Sequence, residues 1–193
     1  MSAILRLCLD LNIWCGELIA EQRGRRGTAV QQLVEIARSG QSTLGPVQII
    51  ISWGMINRLR KVYVQDLQIP GAIADTLLGA IAGYAALGPA GMNPMLTLGG
   101  TGVVPLTDTE DAHVLETCIA GQAHILVTAN FKDFLAGDVK VLEANRIAFY
   151  PFPKGQLLIS HPYFMAECFR QGEIMLPGDQ QFDFSQSKST KRL

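Results

Sequence analysis

The stretch HILVTANFKDF, from His124 to Phe134, joins an apolar run to a cluster of polar side chains. Its residues Ile125–Val127 are continuously apolar, which is typical of a short strand that is buried on both faces. The run ends directly at Thr128, and Asn130, Lys132 and Asp133 follow within five positions. Either the strand simply reaches the surface here, or a functional site is built at its end.

Similar apolar runs alternate with helical patterns along the rest of the chain. ILRLCLDLN (Ile4–Asn12) predicts a first strand that ends near Asp10, and VQIIIS (Val47–Ser52) predicts a second one. Val139–Glu143 and the sequence RIAFYPF predict short further strands. Helical patterns occupy WCGELIAEQR, TAVQQLVEIARSG, MINRLRKVYV, residues 72–87 and DTEDAHVLETCIAGQA. Continuous apolar strands separated by helices predict an α/β fold with a central parallel sheet covered on both faces.

The composition indicates a globular protein of ordinary charge. The 193 residues, 48% hydrophobic and 17% charged, suggest one domain with a substantial core. Lys and Arg number 16 against 17 acidic residues, so the net charge of the whole protein does not indicate nucleic-acid binding. The four cysteines lack CxxC spacing, and the first residues do not resemble a signal peptide. We therefore expect a reduced, cytoplasmic protein with no membrane span.

Two boundaries are expected within the chain. The main domain is predicted to cover residues 1–170, interrupted at about 88–105 by a Gly- and Pro-rich loop or insertion. Residues 171–193 are predicted to form a C-terminal extension that is partly disordered, because the tail after Phe184 reads SQSKSTKRL.

Acidic side chains are predicted to meet at one edge of the sheet. Asp10 closes the first strand, Asp133 follows the strand at Ile125–Val127, and Asp111 opens the preceding helix. Ligands of parallel α/β sheets bind outside the carboxyl ends of the strands. Converging carboxylates repel one another unless a cation offsets the charge, and hard oxygen ligands favour Mg²⁺ or Mn²⁺. Such an ion suits phosphodiester cleavage, although an Asp at a strand end is also an ordinary solubilising residue.

Three segments together resemble the PIN-domain family of metal-dependent ribonucleases, which includes the VapC-like toxins of toxin–antitoxin pairs. They are LDLNIW (Leu9–Trp14), TEDAHVLETCIAGQAHILVTANFKDF (Thr109–Phe134) and LISHPYFMAECF (Leu158–Phe169). The resemblance covers about residues 3–170. It implies a PIN-like three-layer sandwich and an Mg²⁺- or Mn²⁺-dependent endoribonuclease. It also implies RNA as the substrate, a homodimer and an antitoxin partner.

The resemblance also assigns roles to individual residues. Asp10, Asp111 and Asp133 match the acids that hold the metal and carry catalysis in that family. Five further residues would support them, as second ligands, orienting groups or caps: Asn12, Asn57, Asp108, Thr128 and Asn130. For Asp108, capping of the helix is the alternative role.

Two positions depart from the family pattern. Asn57 stands where the family usually has Glu, and Asn130 stands where it often has Asp. Asparagine keeps an oxygen ligand but loses the negative charge, so metal binding should weaken. The chain is then either a weakened nuclease or a degenerate PIN fold that binds RNA or protein without cutting it.

Other signals have both a functional and a structural interpretation. Arg23, Arg25 and Arg26 either contact an RNA backbone or form a solvated basic loop. Thr97–Val104, TLGGTGVV, either cradles phosphate, as in a nucleotide-binding flavodoxin-like regulator, or is a flexible loop.

Trp14 and Trp53 follow predicted strands, so they either stack on bases or lie in the core or a dimer interface.

Overall fold

The computed structural model describes residues 3–88, 109–135, 139–152, 155–178, 180–182 and 184. Its helices are α1 (Leu11–Gln22), α2 (Ala29–Ser39), α3 (Trp53–Lys61), α4 (Gly71–Leu87), α5 (Thr109–Ala120) and α6 (Pro162–Gln171). A π-helical turn, Val62–Asp66, follows α3, and a 3₁₀ turn spans Phe131–Phe134. None of the helices in these ranges has the length and apolar character needed to cross a membrane.

The strands form one large sheet and one small hairpin. They are β1 (Leu5–Leu9), β2 (Gln41–Ser42), β3 (Gly45–Ile49), β4 (Ile125–Val127), β5 (Lys140–Glu143), β6 (Ile147–Phe152), β7 (Gly155–Ser160), β8 (Met175–Leu176) and β9 (Gln180–Gln181). The large sheet has the order β2-β3-β1-β4-β7-β6-β5, and β8 pairs with β9.

The middle of the sheet is parallel and its two sides are antiparallel. β3, β1, β4 and β7 run in the same direction, whereas β2, β6 and β5 are antiparallel to their neighbours. The predicted α/β fold with central parallel strands is thus confirmed. Strand β7 has no counterpart among the predicted strands, because its short apolar run Leu157–Ile159 leads almost at once into a helix start.

The chain crosses the sheet in both directions, which builds a layer on each face. From β1 the chain connects to β3, its neighbour on one side in the sheet. From β3 it then connects to β4, the neighbour of β1 on the other side. Since such crossovers are right-handed, α1 and α2 lie on one face and α5 on the other. α2 accordingly packs against α1 and α6, and α5 packs against α3.

The core is centred on β1 and β4. Leu5 and Leu7 of β1, and Ile125–Val127 of β4, have no exposed surface. This explains the continuous apolar run, because a parallel strand between two helical layers is buried on both sides. Trp14 lies in the same core and its Nε1 donates to the Leu9 carbonyl oxygen at 3.3 Å. Trp53, by contrast, is 44% exposed.

Residues after α6 also contribute to the core. Ile174 and Leu176 are buried, and Phe182 and Phe184 pack against the core cluster. The domain division at residue 170 stays a prediction. The predicted Gly- and Pro-rich loop falls almost entirely on residues 89–105, which lie outside the described ranges, as does the polar tail after Phe184.

A buried polar contact fixes α5 to the carboxyl end of β3. The Ser52 Oγ accepts hydrogen bonds from the Thr117 hydroxyl at 3.1 Å and from the Met55 N–H at 3.2 Å. It also lies 3.2 Å from Nε2 of His113. A Cβ added to Gly54 would lie 2.0 Å from that same Nε2, so α3 and α5 approach too closely here for a larger residue.

Replacing Ser52 by alanine should therefore loosen α5. The substitution removes the cap of α3 and leaves Thr117 and His113 facing a methyl group in the core. We expect the free energy of unfolding to fall by about 1–3 kcal/mol in urea denaturation. Ser39→Ala, at an exposed position, is the matched control. Equal stability of the two variants would contradict this account.

Candidate functional site

The carboxyl ends of β1 and β4 lie side by side. Leu9 is in register with Val127, and the Asp10 N–H donates to the Val127 carbonyl oxygen at 3.0 Å. The next residues of the two strands, Asp10 and Thr128, are therefore direct neighbours although they are far apart in sequence. This arrangement places the first predicted acid beside the predicted supporting hydroxyl.

The Asp10 carboxylate is buried and is held by three neutral donors. Only 5% of the residue is exposed. Its Oδ1 accepts from the Leu11 N–H at 2.6 Å, which caps α1. Its Oδ2 accepts from the Asn12 amide at 2.6 Å and from the Thr128 hydroxyl at 2.7 Å.

Asn12 locks this arrangement to the turn after β4. Its amide nitrogen also approaches the Thr128 Oγ at 3.1 Å, and its Oδ1 accepts from the Ala129 N–H at 3.0 Å. The side chain of Asn12 thus links the start of α1 to the end of β4, which keeps the Asp10 carboxylate in one orientation.

The charge on Asp10 is only partly offset. Burial is the largest influence and raises the pKa of the Asp10 carboxyl, while the hydrogen bonds from Thr128, Leu11 and Asn12 lower it. The nearby charge of Asp133 raises this pKa further, so the two acids are close enough to interact. A carboxylate offers about four acceptor positions, and with three in use Asp10 retains capacity for one cation contact.

Asn130 and Asp133 lie on the turn that follows β4. The Asn130 N–H donates to the Thr128 Oγ at 3.0 Å, and the Asp133 N–H donates to the Asn130 carbonyl oxygen at 3.1 Å. Both side chains are exposed. They line a cavity of about 340 Å³, here called the edge groove, together with Ala129, Phe131, Lys132, Asn145 and His161.

The other predicted site residues occupy varied positions. Asp111 lies half-buried in the first turn of α5, and Asn57 is exposed on α3. Asp108 lies outside the described residues.

The predicted RNA-binding arginines are remote from Asp10. Arg23, Arg25 and Arg26 are exposed in the connection after α1. That helix begins at Leu11, directly after its cap Asp10, and is about 18 Å long. These arginines therefore lie at the opposite end of the helix from the acids.

The oxygen donors of this site suit a metal ion, but the side chains are only weakly preorganised to hold one. Oxygen donors without thiolates suit Mg²⁺ or Mn²⁺, and Asp10 and Asp133 supply two acids close together. Within the described ranges, however, no three His, Cys, Asp or Glu side chains are arranged to hold a metal. Mg²⁺ is often held by one or two protein carboxylates, water and a substrate phosphate. The residues present match that kind of centre.

Several residues of this edge were not among the predicted site residues. Ser52 and Thr117 could have been noticed from the polar end of VQIIIS and the inward face of α5. Lys132 belongs to the polar cluster that ends the strand run in the sequence, whereas Asn145 and His161 carry no such signal, because they come from separate turns that only the fold brings beside it.

Comparison with known proteins gives one family. A family model described as PIN domain matches residues 6–132, which is about two thirds of the chain. No curated protein and no solved structure gives a significant match.

Removing the Thr128 hydroxyl should destabilise the protein. In Thr128→Val, Asp10 loses a donor, and the Asn12 amide and the Asn130 N–H lose an acceptor. We expect the free energy of unfolding to drop by roughly 1–3 kcal/mol in urea denaturation. Thr76→Val on the exposed face of α4 should change it by less than about 0.5 kcal/mol. A Thr128→Val protein as stable as wild type would show that the network contributes nothing.

Proposed function

Because the chain belongs to the PIN domain family, whose members are generally nucleases, we propose that it is a metal-dependent endoribonuclease. The observation that carries the proposal is the buried Asp10 carboxylate, which stands at the end of a central strand beside a second acid, Asp133. Burying a carboxylate is costly unless it is compensated, so a buried carboxylate that neutral donors compensate only in part, with a second acid nearby, favours a site for a cation.

The proposed mechanism rests on three acids with distinct settings. Asp10 is oriented by Thr128 and Asn12 and presents its remaining oxygen capacity to Mg²⁺ or Mn²⁺. Asp133 lies in the exposed turn after β4 and Asp111 lies in the first turn of α5, and in this proposal each contributes one oxygen ligand to the bound ion. When bound, the ion would supply Lewis-acid stabilisation of the charge that develops on the phosphate. Binding of the substrate phosphate would complete the coordination that the protein leaves open.

A second candidate function is a binding module without catalysis. Asn57 and Asn130 are neutral where acids are common in the family, and the described side chains form no preformed three-ligand cluster. These observations favour weak metal affinity. A protein of this kind would bind RNA, or another protein, at the same edge without cutting it.

The finer biological role follows from the family resemblance alone. We propose action on RNA in the cytoplasm. The role of toxin in a toxin–antitoxin pair, the antitoxin partner and the homodimer stay predictions. Size-exclusion chromatography with light scattering would test the homodimer.

The nuclease proposal predicts loss of cleavage when an acid is neutralised. A circular single-stranded RNA, which has no ends, would be incubated with the pure protein and Mn²⁺, and its conversion to linear product followed on a gel. We expect Asp133→Asn and Asp111→Asn each to slow conversion by about 100-fold or more. Glu35→Gln, an exposed acid on α2, should cut at the wild-type rate. Acid variants as active as wild type would refute these roles.

Restoring the missing charges should raise activity. Asn57→Glu adds a negative charge where the family usually carries one and Asn130→Asp adds one where the family often does, so in each variant the Mn²⁺ concentration for half-maximal cleavage should fall by about 10-fold. A wild type that does not cut, with an Asn57→Glu variant that does, would identify a degenerate PIN fold. If neither the wild type nor any variant cleaves the RNA, the nuclease proposal is excluded and the binding module remains.

A further inference from the structure

The edge groove extends from Asp133 towards the start of α6. Its walls come from three turns: Asn130, Lys132 and Asp133 after β4, Asn145 between β5 and β6, and His161 before α6. The hydrogen bond from the His161 N–H to the Arg146 carbonyl oxygen, at 2.8 Å, joins two of these turns. Any ligand held beside Asp133 in this groove therefore also meets the start of α6.

An exposed aromatic ring stands at that end of the groove. Tyr163 is 72% exposed, and in the described ranges Trp53 is the only other exposed large aromatic side chain. The Tyr163 ring stacks on the ring of His161 with 5.4 Å between centroids and 30° between planes. Its backbone N–H donates to Nδ1 of His161 at 3.4 Å. Since Pro162 and Phe164 on either side are buried, the tyrosine is held at a fixed place on the surface.

The chemistry of the groove suits a nucleotide. Lys132 is exposed and forms no ion pair within the described part of the chain, so its ammonium group can meet a phosphate. The amides of Asn130 and Asn145 offer both donors and acceptors to a base edge. Burial lowers the pKa of His161, which favours the neutral form of its ring. A neutral imidazole stacked under a tyrosine extends a flat aromatic surface.

We propose that Lys132, His161 and Tyr163 form a subsite for one nucleotide of single-stranded RNA, with the phosphate at Lys132 and the base stacked on Tyr163. The inference rests on the proposed function. It adds the position of the RNA strand relative to Asp133. A base can stack on a protein ring only when it is released from its own helical neighbours, so the subsite selects single strands over duplexes.

The test measures binding without cleavage. A short fluorescein-labelled RNA of mixed sequence would be titrated with the protein in EDTA, and its anisotropy followed at several salt concentrations. Tyr163→Leu should weaken binding by roughly 5- to 150-fold, whereas Tyr163→Phe, which keeps the ring, should bind like wild type. Because Tyr163 is exposed, thermal melting by circular dichroism should be the same for all three proteins.

The salt dependence separates the phosphate contact from the stack. Lys132→Ala should reduce the slope of log K against log salt by about 0.7, while Tyr163→Leu should leave the slope unchanged. Lys140→Ala, an exposed lysine on β5 away from the groove, is the matched control and should change neither quantity. A duplex of the same sequence should bind more weakly than the single strand.

The outcomes distinguish this inference from the proposed function. If wild type binds the RNA but Tyr163→Leu and Lys132→Ala bind equally well, the subsite is overturned and the nuclease proposal stands. If wild type does not bind single-stranded RNA in EDTA, the subsite is overturned as well. Cleavage of the circular RNA then decides the proposed function separately. Equal affinity for duplex and single strand would also overturn the stack on Tyr163.

Discussion

The hydrogen bond from the Thr128 hydroxyl to the Asp10 carboxylate joins the ends of two parallel strands. It is made only in the register that pairs Leu9 with Val127, since a slip of one residue would turn each side chain to the other face of the sheet. The donors around Asp10 are neutral, so they orient the carboxylate without cancelling its charge. Under the proposed function, the charge that remains on Asp10 is what attracts a cation, or a cation together with a phosphate, to this edge.

The sequence predicts the central part of the fold well, because a strand that is buried on both faces is a continuous apolar run in the sequence. The apolar runs at β1, β3 and β4 and the polar residues after them locate Asp10, Asn12 and Thr128 at one edge. The face of α2 formed by Leu33, Val34 and Ala37 is buried as its spacing indicates. Local side-chain patterns are sufficient here because each element is amphipathic or apolar in its own right.

The remainder depends on contacts between distant turns, which no local pattern encodes. Trp14 and Trp53 have the same interpretation in the sequence, yet one lies in the core and the other is exposed. The stack of His161 on Tyr163 is local to the start of α6, but its position beside Lys132 arises only when α6 is docked against the turn after β4. Whether three acids converge depends on the entry angle of α5, and periodicity does not determine that angle.

The central position of β1 has a consequence for the order in which the protein is made. Asp10 is synthesised 118 residues before its partner Thr128, and β1 needs both β3 and β4 beside it. Contacts of such long sequence separation form late and slowly, since the intervening chain must first be closed into a loop. A growing chain therefore carries no assembled pair of Asp10 and Asp133 until β4 and the turn after it have been translated. Under the proposed function, an incompletely translated chain therefore does not cleave the mRNA that encodes it.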